Sequence, residues 1–179
     1  MYEPSHRREI RAKAEQARSD AASEQAGDWY TRTAYYALSA KAFDKWHFWV
    51  AVDELRYAAV CYRLAEAEKR CINRSEQAVL MIEDVLNGRL PERQVKHDGW
   101  TGLGYEYIGD FRMIADIEGA DDAYGQALEL FERVEQHGEP SPFGGPSPVY
   151  AWAAEEGSEL STRFIFRLIF PGRTIHQRA

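Results

Sequence analysis

The sequence is poor in cysteine. Cys61 and Cys71 are the only two in 179 residues. They cannot build a disulfide framework or a CxxC redox or metal pair. Both read as reduced, buried small hydrophobes. Long apolar runs are missing too. Apolar runs such as Phe164 to Phe166 and Leu168 to Phe170 are far too short to cross a bilayer. The first residues, MYEPSHRREIRAKAEQ, are charged and lack an apolar centre, so they do not read as a secretory signal. Positive charge is in the minority. The 22 Lys and Arg face 29 Asp and Glu, for a net charge of -7. Such a surface repels phosphate backbones and anionic lipid, which argues against nucleic acid and membrane partners. The zinc-protease spacing HExxH is absent. These absences together predict a soluble, cytoplasmic protein with no metal and no cofactor.

What is present is helix-forming sequence. Pro4 to Ala26 is rich in Ala, Arg and Glu, with Ile10, Ala14, Ala17 and Ala21 as a thin apolar stripe. Gly27 is expected to end that helix and Asp28 to cap the next, Trp29 to Phe43. A third helix, Lys45 to about Glu68, is apolar on most sides and reads as central and buried. Asn73 and Glu76 suit a capping box at the start of a fourth, which Asn87-Gly88 stops. Leu90 to His97 is a polar connection. A fifth helix runs from Asp98 or Thr101 to about Ile117, and a sixth from Ala120 to Gln136. His137 to Ser147 holds three prolines and three glycines and reads as a loop. Ser158 to Phe170 reads as a seventh helix. The expected organisation is a helical domain over 1–137, a Pro/Gly-rich loop over 138–148, and a helical tail over 149–179 packing on the same domain.

Few residues carry a chemical signal. Glu106 and Asp110, four apart, share one helix face beside Tyr105 and Tyr107. Two like charges there need a compensating cation, a metal or Arg63. The pair is either a carboxylate face in a groove, or a solvated face or structural ion pair. His47, Glu54 and Cys61 recur every seven residues, about 10.5 Å apart along a helix. That is too far for a shared metal or a proton relay. No catalytic residues emerge.

The stretch GWTGLGYEYIGDF, Gly99 to Phe111, holds four glycines. They do not fit the GxGxxG dinucleotide pattern, no strand precedes them, and no Lys-Ser/Thr follows as in a P-loop. A helix that needs small residues for close packing is the better reading. Shifting the chain by 49 residues places Tyr62-Arg63 on Phe111-Arg112, Gln77-Ala78 on Gln126-Ala127 and Ile82-Glu83 on Phe131-Glu132. Self-similarity of this kind marks stacked helical hairpins.

Within that frame, Trp100-x2-Leu103-Gly104-x2-Tyr107 resembles the first half of the tetratricopeptide signature, and Ala127-x3-Phe131 resembles the second half. The second half comes about eleven residues later than a standard repeat places it. The resemblance implies an all-α fold of about seven helices in stacked antiparallel hairpins. It implies a protein-interaction scaffold that binds a peptide or partner protein in a groove. Arg63, Tyr105, Glu106, Asp110 and Arg112 are the candidate groove contacts, and a homo-oligomer is possible. The alternative is a small-molecule binder or enzyme using the Glu106/Asp110 face with aromatic walls.

Overall fold

The computed structural model describes residues 4–40, 45–88 and 98–137. Among them every regular element is an α-helix. These are α1 (Pro4–Ser19), α2 (Ser23–Leu38), α3 (Lys45–Leu64), α4 (Glu68–Leu86), α5 (Asp98–Ala115) and α6 (Ala120–His137). The expected loop at 138–148, the seventh helix and the rest of the tail lie outside the described residues, as does the 90–97 connection. The chain divides into two units. One is Met1–Gln94 with Ile114–Ile117, the other Val95–Met113 with Glu118–Ala179.

In the first unit each helix packs on its neighbour in the chain, α1 on α2, α2 on α3 and α3 on α4. The centre is α3. Phe48, Val52, Leu55, Ala59, Val60 and Tyr62 are all buried, so most of its sides meet protein, as its all-round apolar sequence demands. By contrast α4 is one-sided, burying Cys71, Ser75, Ala78, Ile82 and Val85 at helical spacing. The thinnest anchorage belongs to α1, which buries Ala14 and Ala17 alone among its described side chains.

The first two helix boundaries differ from expectation. The chain turns at Asp20–Ala22, where no glycine or proline stands, and Gly27 and Asp28 lie inside α2. Backbone bonds close the turn. The Ala22 N–H donates to Ala17 O at 2.9 Å and the Ala21 N–H to Arg18 O at 3.1 Å. Between α3 and α4 the same closure recurs, with Ala67 N–H to Tyr62 O at 2.9 Å and Glu66 N–H to Arg63 O at 3.1 Å. This is a Schellman ending, whose left-handed residue is usually glycine. Here it is Ala21, at φ 58, and Glu66, at φ 57. Because α4 begins at Glu68, Asn73 sits within the helix and caps nothing. The expected stop at Gly88 is in place, at φ 67, whereas α5 ends at Ala115, short of the expected Ile117, with Asp116 left-handed at φ 58 and Gly119 at φ 87 just before α6.

Left-handed alanine and glutamate are strained, at about 1–2 kcal/mol each. Glycine removes the strain but gains freedom in the unfolded chain. The expected net effect of Glu66→Gly is a stabilisation of about 0.5–1 kcal/mol, read from the urea midpoint. A loss of stability would count against the turn geometry.

In the second unit α5 buries Leu103, Tyr107, Ile108 and Phe111, and α6 buries Ala123, Ala127, Leu130 and Phe131. Both stripes follow the helical period read from the sequence.

Candidate functional site

One three-residue device joins a helix pair in each unit. In the first, a methyl group at Gly27 of α2 would lie 2.7 Å from the Tyr62 ring of α3. The hydroxyl of that same tyrosine donates to Asp28 Oδ1 at 2.7 Å. In the second, a methyl at Gly109 of α5 would lie 2.6 Å from the Tyr124 ring of α6, and the Tyr124 hydroxyl donates to Asp110 Oδ1 at 2.9 Å. Glycine lets the ring lie against the helix backbone, and the following aspartate holds the ring's far end. Gly102 and Phe131 form a looser version, in which an added methyl would lie 3.0 Å from the ring. The glycine-rich stretch is therefore a packing surface.

The Asp28 latch is reinforced from α4. Arg70 Nη1 donates to Asp28 Oδ1 at 2.9 Å and pairs with Glu24 at 3.4 Å. Burial pushes the Tyr62 hydroxyl above its ordinary pKa, and the neighbouring Asp28 adds to the rise.

A second cluster lies under α1. Glu54, in the middle of α3, is fully buried. Arg11 Nη1 donates to Glu54 Oε1, and Arg7 Nη1 donates to the same oxygen at 3.4 Å. The Arg11 Nε also donates to Glu15 Oε1 at 3.0 Å. Its guanidinium carbon is 5.3 Å from the centre of the Tyr57 ring, which stacks on Tyr30 at 5.1 Å. The Glu54 Oε2 and the Tyr30 hydroxyl are buried and have no hydrogen-bond partner among the described residues. Burial pushes Glu54 up to about 7, against the pull of Arg11 and Arg7. Burial also pushes Tyr30 and the Cys61 thiol up to about 12. A thiol so shielded is a poor nucleophile at neutral pH.

Glu54 makes stability depend on pH. Its folded pKa of about 7 stands above the 4.5 of a free glutamate. The folded chain thus holds a proton that the unfolded chain releases, and this contribution is full below about 4.5 and lost as pH rises through about 7. Relative to Glu54→Gln, the wild-type chain should lose up to about 3 kcal/mol between pH 5 and pH 8 in urea melts. Parallel pH profiles for the two proteins would refute this.

The residues singled out from the sequence are dispersed. Arg63 is exposed in the last turn of α3, in the first unit. Tyr105, Glu106, Asp110 and Arg112 are in the second. Tyr105 and Arg112 are half-buried, and Arg112 Nη1 donates to Gly119 O at 3.0 Å across the α5–α6 turn. Glu106 and Asp110 are buried, so they do not form a solvated face. The Asp110 carboxylate accepts from Tyr124 rather than standing open. The Glu54 cluster is not legible in the sequence, because spacing along α3 says nothing of arginines arriving from α1. Its one signal is a pair of carboxylates, Asp53 and Glu54, set into the apolar run FWVAVDEL.

Among the described residues no three His, Cys, Asp or Glu side chains are grouped to hold a metal ion, and no helix is long and apolar enough to cross a membrane. No protein-family model matches the chain, and no curated protein or solved structure matches it.

Proposed function

We propose that the chain is a helical interaction module of the tetratricopeptide-like kind, holding a peptide or partner protein against its helices. The observation that carries this reading is the surface shared by α2 and α4. Tyr35 is 41% exposed. Its hydroxyl donates to Gln77 Oε1 at 2.9 Å, and Arg74 Nη1 donates to that hydroxyl at 2.5 Å and to Gln77 Oε1 at 2.6 Å. One turn beyond Gln77 stands Leu80, 63% exposed. Pre-positioned Tyr and Arg side chains lose little entropy on contact and are the commonest binding hot spots. A bare leucine beside them gains from losing water. In this reading Arg63, Tyr105 and Arg112 are reachable contacts, while Asp110 acts by holding Tyr124.

The test is capture from native lysate with wild type and with Tyr35→Ala/Leu80→Ser, both checked for equal helicity. The double variant should retain a stoichiometric protein partner at least about tenfold less well. Equal capture, or no stoichiometric partner for wild type, would sink the proposal. The second reading is a small-molecule site at the buried Glu106 and Asp110 carboxylates, of which Asp110 already accepts from Tyr124. Native mass spectra of the purified chain carrying a small-molecule adduct, lost on Glu106→Gln, would support it instead.

A further inference from the structure

The turn between α1 and α2 is at odds with its own sequence. Asp20-Ala21-Ala22 contains no glycine or proline, and alanine is the strongest helix former. Local preference alone runs α1 straight into α2, as the composition of Pro4 to Ala26 predicts. Instead Ala21 is held left-handed at φ 58. The turn's own backbone bonds close it, and tertiary contacts keep α1 folded back. On α1 these are buried Ala14 and Ala17, the Arg7 and Arg11 contacts to Glu54, Lys13 Nζ at 4.9 Å from the Trp29 ring centre, and the edge of His6 against Tyr36 at 5.0 Å. This is little apolar anchorage for a helix of 16 residues.

Straightened, α1 leaves its own groove and uncovers Tyr30, Glu54 and Tyr57. When the groove is covered, the Glu54 carboxylate is buried with one oxygen unpartnered among the described residues, so a helix that covers it must bring a cation. The helix known to fit carries arginines four residues apart, then alanines at the next two turns, which is α1 itself. We propose that α1 is an exchangeable arm, and that the groove beneath it accepts α1 of a second copy to form a reciprocal dimer. Exchange remakes each contact in trans and removes two strained turns, the usual conditions for domain swapping. The turn between α3 and α4 has the same closure, but α3 is buried on most sides and cannot leave. The charged groups facing Glu54 are Arg7 and Arg11 from α1 and Asp53 on α3 itself, and the Tyr57 ring, stacked on Tyr30, lies against Arg11. The inference is independent of the α2–α4 surface proposed above.

A paired charge reversal tests it with full chains. One copy carries Arg11→Glu, the other Glu54→Arg. Each alone is mismatched in the monomer and in its own dimer. Mixed, they match twice, but only if the arms cross. The expected result is a heterodimer by native mass spectrometry and a Tm about 5 °C above either copy alone. Should either copy fail to fold alone, co-refolding from denaturant gives the same readout, and failure to recover heterodimer overturns the proposal. Monomers only, with Tm unchanged, overturn it. So does a dimer that each variant forms equally by itself, since such a dimer uses another surface. In wild type, Ala21→Gly should lower the dimer fraction several-fold at fixed concentration, because it relieves the bent turn and weakens the straight one. An unchanged dimer fraction would count against the hinge.

Discussion

Gly109→Ala is expected to destabilise the protein by about 1–3 kcal/mol, the usual cost of overpacking. The sign is not obvious, because alanine gains about 1 kcal/mol over glycine in a helix. Space decides it. The added methyl would sit 2.6 Å from Tyr124 Cε1, and the ring cannot swing away without breaking its 2.9 Å bond to Asp110. Gly27→Ala should behave alike. There the methyl meets Tyr62 at 2.7 Å, and that ring is buried and held by Asp28 and Thr31. Gly125 supplies the control. It lies in α6, is exposed, and has nothing within 4 Å of the new methyl. Gly125→Ala should therefore stabilise by about 0.5–1 kcal/mol. Urea denaturation of the three variants reads the contrast directly. If Gly109→Ala and Gly125→Ala shift the midpoint the same way, the latch does not exist as described.

Arg11→Ala should cost about 2–4 kcal/mol at pH 8.5 and under about 1.5 kcal/mol at pH 5.5. At high pH the change leaves a buried carboxylate with only Arg7 nearby, 3.4 Å from one of its oxygens. At low pH Glu54 carries a proton and loses only a hydrogen bond. Glu54→Leu should be close to neutral, within about 1 kcal/mol, since the Arg7 and Arg11 side chains are 22% and 31% exposed and their heads can turn to water. The double variant Arg11→Ala/Glu54→Leu should then cost much less than Arg11→Ala alone. A double-mutant cycle from urea melts gives the coupling, expected at about 2 kcal/mol or more at pH 8.5. Additive losses would show that Arg11 and Glu54 do not depend on each other. The salt bridge so tested is a device for placing α1, and its net contribution to stability is small.

Much of the fold was legible along the chain. Helical periods placed α5, α6 and the start of α3 closely, because a buried stripe repeats every three or four residues whatever it packs on, while α3 ends at Leu64 rather than near Glu68. The stop at Gly88 was legible because glycine takes a left-handed turn without strain. The glycine stretch was legible as helix, since its pattern fits no phosphate loop. Two of the misreadings share one cause. Gly27 looked like a stop and Asp28 like a cap, as both usually are in isolation. Their role depends on Tyr62, which arrives from another helix.

The sequence by itself determined that this protein is helical in its described parts, where its helices bury their faces, and that its cysteines are too few for disulfide scaffolding. Those properties follow from local period and composition. Tertiary structure alone decided that the chain bends at Ala21 and Glu66 against helix propensity, that two glycine–aspartate pairs grip tyrosines, and that Glu54 is buried against arginines. Each of these sets a local cost, strain or desolvation, against contacts made far away in sequence. Only the folded chain brings both sides of that balance together.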